Sequence, residues 1–216
     1  ITSGASEALH IALLALVEPG DEVLVPDPGF VSYVPLTDLS GGRAVGVPLS
    51  DTLNLDAEIV AGYITDKTRV LVINSPSNPT GSVQTKDDMK AFADIADDHN
   101  ITIISDEVYE HFIYEGEHVS PAMYSDNVIT VNATSKTYSM TGWRLGYVAA
   151  KSDYTEQMFI GKKLFLIIYD VSKTDKDSFT EIVELQNSLG DQVEVIALTA
   201  SDADTFKLFQ NETGFT

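Results

Sequence analysis

Residues 69–81 read RVLVI followed by NSPSNPTG, an apolar, β-branched run that leads directly into a turn. The run Arg69–Ile73 is typical of a strand that is buried on both faces of a parallel sheet. Each of the two prolines in the turn fixes its own φ and excludes the residue before it from the α region. Such a turn holds a side chain in a fixed direction at the end of a strand, and Asn78 is the candidate. Taken alone, the stretch also fits an ordinary turn, and either X-Pro bond is open to the cis form.

Strands and helices alternate on both sides of this stretch. The strands are predicted at 22–25, 44–47, 69–73, 101–104, 128–131 and 145–150, and the helices at 6–17, 30–39, 87–99 and 154–160. This alternation predicts an α/β fold, with a mostly parallel sheet flanked by helices. A short βαβα segment follows, with strands predicted at 164–169 and 192–198 and helices at 179–189 and 204–211.

The composition excludes several classes of function. The 216 residues include 33 acidic and 13 basic side chains and no cysteine, and the formal net charge is −20. A chain this acidic is unsuited to nucleic acid or to an anionic membrane surface. The lack of cysteine removes disulfides, thiolate metal sites and thiol catalysis. No apolar run reaches the length of a membrane span and no leader opens the sequence, so we expect a soluble, cytoplasmic protein.

Three further blocks carry polar residues at the start of a predicted helix or the end of a predicted strand. Residues 2–8 (TSGASEA) open a helix, whose unpaired N–H groups can bind an anion. Residues 105–110 (SDEVYE) put acids just after a buried strand, and residues 135–147 (SKTYSMTGWRLGY) contain both a lysine and an arginine. Each block alone also fits a capped helix, a turn or a surface lysine. Ligands of open α/β sheets bind at the carboxyl ends of strands, where we expect all four blocks to meet.

Together the four blocks resemble the fold-type I pyridoxal-phosphate aminotransferases of class I and II, the aspartate aminotransferase-like group. The resemblance covers residues 1–158 and is to the large, cofactor-binding domain of that family. It implies a pyridoxal 5'-phosphate enzyme of amino acid metabolism that transfers an amino group between an amino acid and a 2-oxo acid. A lyase or synthase on the same fold and a non-catalytic, cofactor-binding regulatory module share these residues and stay open as alternatives.

The resemblance also implies three catalytic residues. Lys136 forms a Schiff base with the cofactor aldehyde and then moves the proton of the substrate Cα. Asp106 faces the pyridine nitrogen and keeps it protonated, so that the ring acts as an electron sink. Tyr109 and Asn78 hydrogen-bond the phenolic oxygen of the ring.

The remaining implied residues hold the phosphate and the ring of the cofactor. Arg144, Ser135 and the helix start at Gly4, Ala5 and Ser6 bind the phosphate, and Phe30 stacks on the ring. No metal is expected, because His111 and His118 with the nearby acids 115 and 117 lack the spacing of a helical ligand pair.

Residues 163–216 lie outside this resemblance and look like a fragment of a thioredoxin-like fold without a Cys-x-x-Cys motif. We interpret them as a sequence join, with a divergent family C-terminus as the alternative. The resemblance implies an active site shared within a homodimer, and a small domain whose arginine binds the substrate α-carboxylate. Nothing in residues 159–216 resembles that domain, so we expect this chain alone to be inactive.

The excess of acidic side chains over lysine and arginine predicts a salt-loving source, the alternative being an acidic protein from an organism of ordinary salinity. If the prediction is right, the midpoint of thermal unfolding should rise from dilute buffer to molar KCl, because salt screens the repulsion among the 33 acidic groups. Thermal unfolding followed by circular dichroism over a KCl series measures this. Greatest stability in dilute buffer would contradict the prediction.

Overall fold

The computed structural model describes residues 1–159, 163–169 and 193–199 of the chain. By its contacts the chain divides into two compact units. One is Thr2–Met158, and the other is Phe159–Thr216 together with Ile1. Two assignments stay predictions: residues 1–158 as an aminotransferase large domain, and residues 163–216 as a thioredoxin-like fragment.

The first unit contains a six-stranded sheet. Its strands are β1 (Glu22–Asp27), β2 (Arg43–Pro48), β3 (Thr68–Asn74), β4 (Thr102–Asp106), β5 (Val128–Ala133) and β6 (Gly146–Ala149). Their order is β2-β1-β3-β4-β5-β6, with four parallel pairings and an antiparallel pairing of β5 with β6. The predicted α/β fold with a mostly parallel sheet is therefore confirmed. An antiparallel edge strand is common on such sheets.

The helices of the described residues are α1 (Gly4–Leu16), α2 (Tyr33–Leu39), α3 (Ala57–Tyr63), α4 (Lys86–His99), α5 (Thr134–Thr137) and α6 (Ser152–Phe159). A capping box between Thr85 and Asp88 begins α4, and Asn100 ends it at a φ of 53°. Helix α3 was not predicted from the sequence. Its start is marked only by Asp56, whose carboxylate accepts two backbone N–H bonds. None of these helices has the length and apolarity that crossing a membrane requires.

Helices cover both faces of the sheet. In β3, Leu71 and Ile73 point to one face and pack in one cluster with Met89 and Phe92 of α4, while the intervening Val72 is buried outside that cluster. This period of two is that of a strand buried on both sides. Helix α1 packs against the strands β4, β5 and β6. The apolar faces are thus covered, while Asn74 and Asp106 lie at the carboxyl ends of β3 and β4.

Strand β1 is longer than predicted. It was expected to end before Pro26 and instead continues to Asp27. The pairing of β1 with β3 stops at Leu24, whereas the pairing with β2 continues to Asp27. The missing N–H of Pro26 is tolerated because this part of β1 has a partner on one side only, as in an edge strand.

In the second unit the structure describes two strands, β7 (Lys163–Tyr169) and β8 (Val193–Thr199). They pair in parallel along their whole length. The helices predicted at 179–189 and 204–211 lie outside the described residues.

Candidate active site

A cavity of about 240 Å³ lies at the carboxyl ends of the sheet strands. Asn74 ends β3 and Asp106 ends β4, while Ser135 and Lys136 follow β5 in α5. Nine of the ten residues predicted to bind the cofactor line this cavity, namely Ala5, Ser6, Phe30, Asn78, Asp106, Tyr109, Ser135, Lys136 and Arg144. The four sequence blocks therefore meet where parallel α/β sheets bind ligands.

Asp106 is a buried acid with one strong hydrogen-bond donor. Tyr33 Oη donates to its Oδ2 over 2.7 Å, and the backbone N–H of Val108 donates to Oδ1 over 3.4 Å. Burial raises the pKa of the Asp106 carboxyl to about 6, against these two hydrogen bonds, which lower it. The ion pairs of the described residues all involve other acids. A cationic group entering the cavity would therefore meet a carboxylate that lacks a cationic partner among those residues.

Asn74 also lines the cavity but was not predicted as a site residue. Its side chain joins two predicted site residues. Its Nδ2 donates to the backbone carbonyl of Asp106 over 3.0 Å, and its Oδ1 accepts the backbone N–H of Asn78 over 2.7 Å. The loop that carries Asn78 is thus tied to the strand end that carries Asp106. Both X-Pro bonds of the loop, Ser75-Pro76 and Asn78-Pro79, are cis.

Lys136 lines the cavity and is exposed to solvent. Its Nζ is 5.6 Å from the centroid of the Tyr109 ring, within the range of a cation–π contact. Tyr109 also packs edge-on against Phe112, with 6.2 Å between the ring centroids. The amine and the phenol, both predicted to be catalytic, are therefore neighbours.

Arg144 links the block at 135–147 to the start of α1. Its guanidinium donates to the backbone carbonyls of Ser3 and Thr141, each over 3.1 Å. Gly4 does not line the cavity but makes this approach possible, because a Cβ there would collide with the guanidinium, and its φ is +77°. Thr2 exchanges two backbone hydrogen bonds with Gly146, which holds the helix start against β6. A guanidinium and the N-terminal end of a helix thus lie together on one side of the cavity, as an anion requires.

A second buried acid, Glu107, is not among the residues that line the cavity and has several hydrogen-bond partners. The hydroxyls of Ser105 and Ser120 donate to its Oε1 over 2.8 and 2.7 Å, and His118 Nε2 lies 2.9 Å from its Oε2. This hydrogen bond raises the pKa of His118, although burial opposes it. Glu107, Glu110 and His118 have potential ligand atoms within 4.8 Å of one another. We interpret the group as an ion pair supported by hydroxyls, so the expectation of no metal site stays a prediction.

The residues that line the cavity match a flat aromatic ligand that has one anionic group and one cationic group. Asp106 supplies an anion on one side, and Arg144 with the α1 start supplies positive potential on another. Phe30 supplies an aromatic face, and the whole space is about 240 Å³. Pyridoxal 5'-phosphate has these three features, and the residues present fit it. Besides Asn74, the lining residues that were not predicted from the sequence are Leu9, Val108 and Thr141.

The chain is similar to known aminotransferases over most of its length. The family model of aminotransferase class I and II matches residues 1–173. A probable aspartate aminotransferase of Methanocaldococcus jannaschii is 46% identical over 158 residues, which is 73% of this chain and 42% of the relative. An aromatic-amino-acid aminotransferase of Thermococcus litoralis is 43% identical, over 73% of this chain and 42% of that protein.

Solved structures give the same result. The structure of an aromatic aminotransferase from Pyrococcus horikoshii matches with a TM-score of 0.71 and 49% identity, over 73% of this chain and 44% of that one. The structure of an aspartate aminotransferase from Thermus thermophilus with maleate matches with the same TM-score and 41% identity, over 73% of this chain and 42% of that one. The chain thus spans about two fifths of the length of the relatives it matches.

The substitution Asp106→Asn should stabilise the cofactor-free chain at neutral pH and lose its advantage in acid. The raised pKa means that the contribution of Asp106 to stability is fully present below about pH 4 and is lost as the pH rises through about 6. Above pH 6 the substitution is expected to raise the free energy of unfolding by on the order of 2–3 kcal/mol, because each pH unit by which the pKa of Asp106 is raised corresponds to about 1.4 kcal/mol. Urea unfolding of both chains from pH 4 to 8 measures it, with Asp98→Asn on the exposed side of α4 as the control for a lost charge. Equal profiles for both substitutions would contradict the prediction.

The substitution Asn74→Leu should destabilise the chain by roughly 1–3 kcal/mol, because it leaves the N–H of Asn78 without its acceptor and removes a donor from Asp106. Urea unfolding gives the magnitude, and hydrogen exchange locates it. Exchange of the Asn78 amide should accelerate, while amides in the middle of α4 should change only in proportion to global stability. An unchanged Asn78 exchange rate would contradict the bridging role.

Proposed function

This chain belongs to the class I and II aminotransferase family, and on that premise we propose that the whole protein transfers an amino group between an amino acid and a 2-oxo acid with pyridoxal 5'-phosphate. The observation that carries the proposal is the buried carboxylate of Asp106 in a cavity that also contains Lys136 and Arg144. A buried acid, an exposed amine and a guanidinium at a helix start are the three groups that this cofactor needs. The chain spans about two fifths of its relatives, so the proposal concerns the whole protein.

When it is bound, the cofactor supplies an electron sink for the electron pair left on the substrate Cα. The role of Asp106 would be to accept a hydrogen bond from the protonated nitrogen of the cofactor ring. Its burial makes this acid poorly solvated, so it gains more from a cationic partner than an exposed carboxylate does. The cation in turn keeps Asp106 ionised, since an opposite charge lowers the pKa of an acid.

Lys136 would supply the amine that holds the cofactor aldehyde and the base that takes up the proton of the substrate Cα. Because Lys136 both lines the cavity and is exposed, its amine would be accessible to the cofactor and to an entering substrate. Tyr109, whose ring lies 5.6 Å from Nζ, and Asn78 supply donors for the phenolic oxygen of the ring. With Asp106 holding the ring nitrogen and Tyr109 and Asn78 holding the phenolic oxygen, the ring would be fixed in one orientation.

The phosphate-binding part comprises Arg144, Ser135 and the N–H groups of Ala5 and Ser6. The guanidinium already binds the carbonyls of Ser3 and Thr141, so its position is set before a ligand arrives. Pre-organised donors of this kind lower the entropy cost of binding an anion. Phe30, which lines the cavity and packs at a steep angle to Tyr33 with 5.6 Å between ring centroids, would supply the aromatic ring that stacks on the cofactor.

For the whole protein we further propose a homodimer that acts in the cytoplasm, away from membranes, on amino acids and 2-oxo acids, in a salt-loving organism. Apolar and aromatic side chains near the cavity support the dimer. Val31, beside Phe30, is 80% exposed, and Tyr138 and Trp143 are 64% and 50% exposed. Exposed large apolar side chains close in sequence to lining residues are the kind that another subunit often covers. The net charge of −20 supports the high-salt setting.

Borohydride treatment of the chain with pyridoxal 5'-phosphate should fix the cofactor on Lys136. The bond between a lysine amine and the cofactor aldehyde absorbs near 410–430 nm, a general property of such bonds, and borohydride reduces it to a stable amine. Digestion and mass spectrometry then locate the label. We expect it on the peptide that contains Lys136 and expect it to disappear in Lys136→Ala.

The matched control is Lys90→Ala, which removes an exposed lysine of α4 far along the sequence and should retain the label. Recovery of the cofactor on another lysine would refute the site. For the whole protein, aspartate and an aromatic amino acid are the donors to test, because relatives carry those names. Formation of the donor's 2-oxo acid matched by amination of an added 2-oxo acid supports transfer, whereas release of ammonia without it contradicts transfer.

A further inference from the structure

We propose that Tyr33 is a positioning residue for Asp106: its hydroxyl holds the carboxylate in one orientation and keeps it an acceptor that faces the cavity. This rests on the proposed function, in which Asp106 is the partner of a ring nitrogen. The observation is the hydrogen bond from Tyr33 Oη to Asp106 Oδ2, at 2.7 Å between residues 73 positions apart in the chain.

The bond between Tyr33 and Asp106 is shielded from water. Tyr33 is 2% exposed and Asp106 is 3% exposed. Little solvent reaches this bond, so the carboxylate depends mainly on the donors that the protein supplies. The other described donor to this side chain is the N–H of Val108 at 3.4 Å, which is long for a hydrogen bond. Tyr33 is therefore the main donor to this carboxylate.

Tyr33 is itself held from several directions. It is the first residue of α2, and its carbonyl accepts the hydroxyl of Thr37 over 2.8 Å. Its ring meets Phe30 edge-on, so one side chain contacts both the acid and the aromatic face of the cavity. Tyr33 does not line the cavity, and it therefore acts through Asp106 rather than on a ligand. A donor fixed in this way limits the rotation of the carboxylate and leaves Oδ1 for the ligand.

Tyr33 stays a donor throughout the working pH range. Burial and the neighbouring Asp106 raise the pKa of the Tyr33 phenol well above its usual range. The other ionisable groups that act on Asp106 have opposite effects, since Glu107 raises the pKa of its carboxyl and Lys136 lowers it. Tyr109 acts on the pKa of Tyr33 in the same direction as Asp106 does. Among these groups the hydrogen bond from Tyr33 is the largest influence that opposes burial.

The test is Tyr33→Phe, which removes one oxygen and retains the ring and its packing, with Tyr114→Phe as the control for loss of an exposed hydroxyl. In the cofactor-free full chain, carbon-13 NMR of the Asp106 carboxyl from pH 4.5 to 9 gives its titration midpoint, with Asp106→Asn identifying the signal. We expect Tyr33→Phe to raise the midpoint by about one to two pH units, the effect of losing a hydrogen bond to a charged group. Tyr114→Phe should leave the midpoint unchanged.

The second measurement is the Kd for pyridoxal 5'-phosphate as a function of pH. If Tyr33 keeps Asp106 ionised, Tyr33→Phe should weaken binding by roughly tenfold or more near pH 6 to 7 and least at pH 9, where the acid is ionised in both chains. In an Asp106→Asn background the same substitution should have no further effect. A pH-independent loss of affinity together with an unchanged midpoint would indicate a packing role and overturn the proposal.

The two measurements separate the proposals. The midpoint needs no cofactor, so an unchanged midpoint in Tyr33→Phe overturns the role of Tyr33 whatever the cofactor does. Failure of the unsubstituted chain to bind pyridoxal 5'-phosphate at any pH overturns the proposed function. In that case a raised midpoint still supports the control of Asp106 by Tyr33.

Discussion

A carboxylate buried at the end of a central strand is the constraint on which the site depends. Asp106 closes β4, between β3 and β5, where the sheet is covered on both faces. Ionising an acid at such a position is unfavourable, which is why the pKa of Asp106 rises to about 6. A fold keeps such a group at a cost to stability, and the compensating benefit is a strong interaction with a cation that binds there.

The surrounding residues limit this cost without removing it. Tyr33 and the N–H of Val108 provide neutral hydrogen bonds, and Asn74 holds the backbone carbonyl of the same residue. Neutral donors steady a carboxylate but leave its charge in place. The carboxylate therefore remains able to attract a cation, which a salt bridge from the protein would have prevented. Gly4 lets Arg144, which also lines the cavity, approach the start of α1, so the cavity contains a guanidinium as well as this carboxylate.

Much of this could be read from the sequence, because the site residues occur in short blocks and each block follows a strand or opens a helix. Asp106, Tyr109, Lys136 and Arg144 each belong to such a block. Tyr33 could not be found in this way, since its partner is 73 positions away and only the packing of α2 joins them. Asn74 was inside a block but looked like the end of a strand, and its bridging bonds depend on the folded loop. The exposure of Lys136 and the antiparallel pairing of β6 likewise follow from tertiary structure, which local patterns do not encode.

The adjacent acid Glu107 provides an internal comparison for Asp106. The two residues are neighbours in sequence and both are buried, yet the protein treats them differently. Glu107 has two hydroxyl donors and a histidine whose pKa is raised in return, so its charge is balanced within the fold. Asp106 has neutral donors and faces a cavity. Because burial alone is common to both acids, it does not account for the difference. The difference lies in the cation that Asp106 lacks among the described residues, and a bound ligand that carries one is the simplest way in which this fold balances that charge.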